Sequence, residues 1–156
     1  MVGGQRLITV LPAYNAERTL EQTVHEVPPG LVDEFVLVDD GSIDGTVRIA
    51  ERLGIPFVRH PENRGYGGNQ KTCYREALAQ NADVVIMVHP DYQYDPRLIA
   101  AMAAMVASGV YDLVLGSRIL GSRSPLDGGM PVYKYVANRV LTLVQNLVLG
   151  TKLSEF

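Results

Sequence analysis

One pattern recurs along the chain and leaves little choice of architecture: a short apolar run, a loop carrying proline, glycine or aspartate, then a stretch with helical spacing. Residues 7–11 are the first such run, and Pro12-Ala13-Tyr14-Asn15 breaks it ahead of a helix over 18–27, where Leu20, Val24 and Val27 recur at helical intervals. Residues 35–38 are the second, followed by a helix over 46–53 with Asp44 as the expected N-cap. Residues 56–59 are the third, and Asn63-Arg64-Gly65-Tyr66-Gly67-Gly68 opens a helix reaching residue 80. The fourth run, 84–88, is wholly apolar and ends at His89-Pro90-Asp91; Asp95-Pro96 then opens a helix with a capping side chain and a proline in its first turn. A fifth strand is expected at 113–115. Such alternation specifies an α/β fold, a mostly parallel sheet covered by helices on both faces, because parallel neighbours can be joined only by crossovers that lie over the sheet. The loops after the strands then share one edge, where ligands of open parallel sheets bind.

A chain of 156 residues that is 47% hydrophobic and 20% charged can bury one substantial core, so residues 1–156 are read as a single domain. A net charge of −3, with no run of Arg or Lys, argues against nucleic acid as a partner. With Cys73 as the one cysteine, neither an internal disulfide nor a thiolate zinc site can form. The first residues lack the apolar core of a signal peptide, and no apolar run reaches the roughly 18 residues of a membrane span, so a cytoplasmic location is expected. Residues 121–129, rich in Ser, Gly and Pro, read as a loop, and 131–149 as a long helix that is apolar nearly all round. Lys134, Arg139, Gln145 and Asn146 keep that helix from being a span. It is expected to pack against something else, a second copy or a membrane surface. The sequence stops at Ser154-Glu155-Phe156 without a cap or turn, which reads as C-terminal truncation.

The chemistry concentrates where Val36-Leu37-Val38 runs into Asp39-Asp40-Gly41-Ser42. Two carboxylates at a strand end suit the hydroxyls or amide N–H groups of a ligand, although a lone Asp-Asp-Gly also reads as a loop cap followed by a solvated turn residue. Gly65, Gly67 and Gly68 lack the Lys-Ser/Thr of a P-loop and read as a tight helix entry. His25 and His60 have no partner at metal-ligand spacing, Cys73 reads as a buried thiol, and Asp95 as a helix cap.

Taken in order, Pro12-Ala13-Tyr14-Asn15, Val38-Asp39-Asp40-Gly41-Ser42, Asn63-Arg64-Gly65 and Pro90-Asp91 resemble the successive motifs of family 2 inverting glycosyltransferases. Asp91-Tyr92-Gln93-Tyr94-Asp95-Pro96, Gly116-Ser117-Arg118 and Gly129-Met130-Pro131 make the chain most similar to the polyprenyl-phosphate, dolichol-phosphate mannosyltransferase-like type. The resemblance implies a GT-A, Rossmann-like fold, here C-terminally truncated, and transfer of a sugar from a UDP- or GDP-sugar to an acceptor such as a polyprenyl phosphate. By the same resemblance, Pro12, Ala13, Tyr14, Asn15, Asp39, Asp40, Asn63 and Gly65 border the nucleotide. Asp39 is the expected hydrogen-bond acceptor, and Asn63 and Gly65 shape the cleft floor. Asp91 is the implied catalytic and metal-ligating residue, holding Mg2+ or Mn2+ on the diphosphate. His89 stands where many relatives carry the first aspartate of an Asp-x-Asp pair. Arg118 could reach a phosphate of donor or acceptor, or make a surface salt bridge. Glu155 replaces the aspartate of a Ser/Thr-Asp motif. Two rivals follow: a nucleotide-sugar-binding or oligomerisation fragment without full activity, and a sugar-phosphate nucleotidyltransferase. The latter's glycine- and lysine-bearing loop after the first strand is absent.

Overall fold

The computed structural model describes residues 2–91, 94–117 and 131–153, in two compact units, Met1–Val114 and Leu115–Phe156. The first unit holds four parallel strands, β1 (Leu7–Ala13), β2 (Glu34–Asp39), β3 (Phe57–Arg59) and β4 (Val84–Met87), in the order β3-β2-β1-β4. Helices α1 (Leu20–His25), α2 (Thr46–Arg52) and α3 (Gly65–Ala79) alternate with them. A 3₁₀ turn, Pro96–Leu98, leads into α4 (Ile99–Ala107).

Side-chain alternation along the strands builds a core on each face of the sheet. Leu7, Leu11 and Ala13 of β1, with Leu37, Val84 and Ile86, pack against Leu20, Ile49, Ala50, Ile99 and Ala103 of α1, α2 and α4. The intervening residues Ile8 and Val10, with Val36 and Val38, face Cys73 and Ala77 of α3. Each fully buried Leu, Ile or Val contributes about 1.5–3 kcal/mol relative to exposure. Thus β1, buried along its whole length, is the central element that both cores share.

The strand order fixes where a ligand can enter. From β1 the chain steps to β2 and β3 on one side, with α1 and α2 over one face, then returns through α3 over the other face to place β4 on the far side of β1. The connections after β1 and after β3 therefore diverge between β1 and β4, leaving the crevice of a topological switch point.

Local differences from the sequence reading have physical causes. Helix α1 begins at Leu20 rather than 18: residues 16–19 form a turn closed by the Thr19 amide on the Ala16 carbonyl at 3.1 Å, and the Ala16 and Glu17 amides are tied to Thr46 Oγ1 and Asp44 Oδ2 (2.8 and 3.1 Å). Gly45, not Asp44, is the N-cap of α2; Asp44 closes a local turn, accepting from the Thr46 amide at 3.0 Å. The Asp95 carboxylate accepts from the Arg97 amide at 3.0 Å and caps the 3₁₀ turn as expected. The fifth strand expected at 113–115 does not form among the described residues: Leu113 is 70% exposed and has no ladder, and three residues without a paired neighbour cannot hold a strand.

The second unit contains α5 (Val132–Leu149), terminated by Gly150 in the left-handed conformation, φ 64°, with the Thr151 amide returning to the Asn146 carbonyl. Among the described residues no helix is long and apolar enough to cross a membrane. Arg118, Gly129 and Met130, Tyr92 and Gln93, and Ser154 and Glu155 lie outside the described residues.

Candidate nucleotide-sugar site

Four loops, one from the C-terminal end of each strand, enclose a cavity of about 710 Å³ at the switch point. Hydrogen bonds between loops hold it in shape. The Asn15 amide donates to Ser42 Oγ at 2.8 Å while Asn15 Oδ1 accepts from the Ile43 amide at 3.0 Å, tying the β1 loop to the β2 loop in both directions. Asn15 sits at φ 51°, a left-handed conformation that asparagine tolerates better than most side chains. The Thr19 hydroxyl donates to the Pro90 carbonyl, fastening the β1 loop to the β4 end. Asn69 of α3 reaches the strand ends themselves, its Nδ2 donating to Val38 O at 3.1 Å and Ala13 O at 3.4 Å. Gly41, at φ 78°, lets the β2 loop pass so close to the β3 loop that a Cβ there would lie 3.3 Å from the Asn63 amide nitrogen.

Most residues expected from the sequence come together here. Pro12, Ala13, Tyr14, Asn15, Asp40, Asn63, Gly65 and Asp91 all line the cavity. Pro12 and Ala13 are buried in the wall, whereas Tyr14 is 54% exposed at its rim. Asp39 is placed differently. It is fully buried, it is not among the lining residues, and its carboxylate accepts from the Ser42 amide at 3.2 Å and pairs with Arg59 Nε at 3.3 Å. The strand's pleat turns Asp39 and Asp40 to opposite sides.

The cavity also includes residues that the sequence did not single out. Glu17, Thr19 and Asn69 line it, as does Tyr66, whose ring stacks on His89 with centroids 5.3 Å apart and whose hydroxyl lies 3.2 Å from His89 Nε2. Burial, with the nearby Tyr74 and Asp91, raises the Tyr66 phenol above its ordinary value. His60, set aside in the sequence for want of a partner, is buried with Nδ1 2.7 Å from Asp40 Oδ1. A twenty-residue separation across two elements gives no periodic signal. Arg118, the expected phosphate contact, lies outside the described residues, while Arg18 brings a guanidinium to the cavity lining.

The donor set fits a divalent cation held jointly with a ligand. Among the described residues no three His, Cys, Asp or Glu side chains cluster as a self-sufficient metal site. Among the carboxylates that line the cavity, Asp91 is exposed in the loop after β4 and offers a hard oxygen ligand. Mg2+ and similar ions are commonly bound by one or two carboxylates, the rest of their shell coming from substrate phosphates and water.

Comparison with known proteins agrees with this geometry. The family model described as "Glycosyl transferase family 2" matches residues 9–147. The chain belongs to glycosyl transferase family 2. Within it, the chain is 30% identical over 149 residues to uncharacterized protein MJ1222 of Methanocaldococcus jannaschii, covering 96% of this chain and 60% of that protein. It is 28% identical to the UDP-N-acetylglucosamine–dolichyl-phosphate N-acetylglucosaminyltransferase of Methanococcus voltae, covering 90% of this chain and 62% of the enzyme. The chain thus spans about three-fifths of these relatives' length. A crystal structure of glucosyl-3-phosphoglycerate synthase from Mycobacterium tuberculosis, in complex with Mn2+, UDP-glucose and phosphoglyceric acid, superposes with a TM-score of 0.57 at 27% identity, covering 69% of this chain and 41% of that one. The parallel sheet is of the GT-A type.

Proposed function

We propose that this chain is the donor-binding part of an inverting glycosyltransferase that transfers a sugar from a metal-bound nucleoside-diphosphate sugar to a polyprenyl phosphate. One observation carries the reading: Asp40 and Asp91, in the loops after the strands on either side of β1, line a single cavity at the switch point. This supports a reading in which Asp40 accepts from the nucleoside and Asp91 provides a hard ligand near the diphosphate.

In this reading Tyr14 lies against the base, Asp40 accepts from a base or ribose donor, and Asn63 and Gly65 form the floor. Asp39 supports the loop from behind through Ser42 and Arg59. Bound at Asp91, a divalent ion supplies charge neutralisation for the departing diphosphate. The chain's own residues fix the donor so that the acceptor approaches from the face opposite the leaving group, which gives inversion. A phosphate acceptor, with its second pKa near 6, is already largely ionised at neutral pH and needs little help from a base. The lipid-phosphate acceptor is supported by the dolichyl-phosphate relative, and it puts the reaction at the cytoplasmic membrane face. Arg118 is the proposed contact to a donor or acceptor phosphate, and the 131–149 helix the proposed contact to the membrane surface or to a second copy.

Calorimetric titration with UDP and GDP, with and without Mn2+, tests the donor site. The expected result is binding that tightens with metal, and loss of that metal dependence in Asp91→Ala. Absence of metal-dependent binding to either nucleotide overturns the assignment.

A further inference from the structure

Asp40 does not hold its own orientation. Its carboxylate is 4% exposed, and Oδ1 accepts two hydrogen bonds, from the Arg64 amide at 2.9 Å and from the His60 ring at 2.7 Å. A carboxylate can only accept, so His60 Nδ1 carries the proton. No described residue bonds Oδ2, which is left as the oxygen available to a ligand in the cavity that Asp40 lines. His60 is itself fixed at three points. Its amide donates to Asp39 O at 2.8 Å, its Nδ1 meets Asp40, and its Nε2 lies 3.0 Å from Thr72 Oγ1, a hydroxyl further anchored to the Gly68 carbonyl at 3.2 Å. The ring is 3% exposed and does not line the cavity that Asp40 lines.

We propose that His60 is a positioning residue: through Nδ1 it holds Asp40 Oδ1 and so aims Oδ2 at the nucleoside, with α3 setting the ring's place through Thr72. The inference rests on the reading of the cavity as a nucleotide site. If His60 merely filled space, an uncharged shape of similar size would serve. The arrangement instead has both ring nitrogens engaged, one on a cavity carboxylate and the other on the helix behind it. Drawn from the loops after β2 and β3 and from α3, the three side chains form one polar chain in which removal of the middle member leaves the carboxylate with the Arg64 amide alone to fix its orientation. Charge-assisted bonds of this kind are the stronger class, so loss of one that sets a ligand-binding atom should register in affinity.

Two substitutions separate positioning from packing. In His60→Asn the side-chain amide nitrogen sits, like Nδ1, on Cγ and can still donate to Asp40. In His60→Gln the nitrogen is one bond further out, towards Thr72, and the donation to Asp40 is lost. With melting temperature and circular dichroism recorded alongside, His60→Asn should bind UDP or GDP with Mn2+ within about threefold of the parent, and His60→Gln about tenfold or more weakly. Equal weakening of the two variants, or an unchanged affinity in His60→Gln, overturns the proposal. A second measurement needs no variant. In the parent, the His60 Nδ1–H resonance, protected from exchange by burial, should shift as UDP is titrated in, and an unmoved resonance under saturating nucleotide also overturns it. If the parent binds neither UDP nor GDP, the nucleotide reading falls and this inference with it. If the parent binds and the two variants do not diverge, only the role of His60 falls.

Discussion

Asp39 and Asp40 are adjacent in sequence and opposite in use. Both are buried, but one is committed to Ser42 and Arg59 while the other lines the cavity. A second effect at this scale is energetic. Thr9, at the centre of β1, is fully buried with Oγ1 unpartnered, and a buried hydroxyl without a hydrogen bond costs about 1–3 kcal/mol. Thr9→Val keeps the shape and removes that group, so unfolding in urea should show a gain of about 1 kcal/mol. Asp44 gives a pH-dependent case. Burial pushes its carboxyl up, but bonds from the Thr46 hydroxyl and from the Glu17 and Thr46 amides outweigh that and hold it below the ordinary 3.8. A carboxyl lowered in the folded state adds stability that is complete above its unfolded value and is lost as the pH falls through the lower folded value. Acid titration of stability should therefore decline below about pH 4, and Asp44→Asn should be less stable at pH 7 and decline less over that window.

At the scale of elements, α3 joins the core to the site. Its inward face seals one side of the sheet with Cys73 and Ala77, its first two turns carry Tyr66 and Asn69 into the cavity wall, and Thr72 backs His60. Burial pushes the Cys73 thiol up to about 12, so almost no thiolate exists at pH 8 and the sulfur is shielded as well. A thiol reagent should leave Cys73 unmodified in the folded protein and react only as the chain unfolds, and rapid stoichiometric labelling of folded protein would contradict this packing. Strand β1 runs past the expected break at Pro12 to Ala13, where pairing with Val38 and Asp39 of β2 extends it, whereas the extents of α3 and β4 were readable from the sequence because apolar runs and breakers are local signals. The missing strand at 113–115 was not, because a strand exists only with a neighbour to complete its hydrogen bonds. The same limit moved the α2 cap from Asp44 to Gly45, where the competing local turn with Thr46 decided.

Across the first unit as a whole, the cavity belongs to no single element. Each of the four strands contributes a loop, and the loops are bonded to one another, so a ligand filling the cavity should stabilise the fold as a unit. Binding that is specific to the folded state adds RT ln(1 + [L]/Kd), about 2.7 kcal/mol at a hundredfold excess over Kd. The melting temperature should accordingly rise with UDP or GDP in the presence of Mn2+, by more than with either component alone. No shift at millimolar nucleotide would argue against a preformed site.

The sequence by itself determined the alternation of strands and helices, hence a parallel sheet with its loops on one edge. It also determined the motifs that marked Pro12 to Asn15, Asp39 and Asp40, Asn63, Gly65 and Asp91 as one site, because hydrophobic period, turn residues and motif order are properties of the chain read in line. Only the tertiary structure decided which of two adjacent carboxylates meets the cavity, that β4 lies beside β1 so that Asp91 shares that cavity with Asp40, and that His60 stands behind Asp40 on a path from Thr72. Those facts depend on the pleat and on which strands become neighbours, and burial of both sheet faces settles them through contacts between residues far apart in sequence.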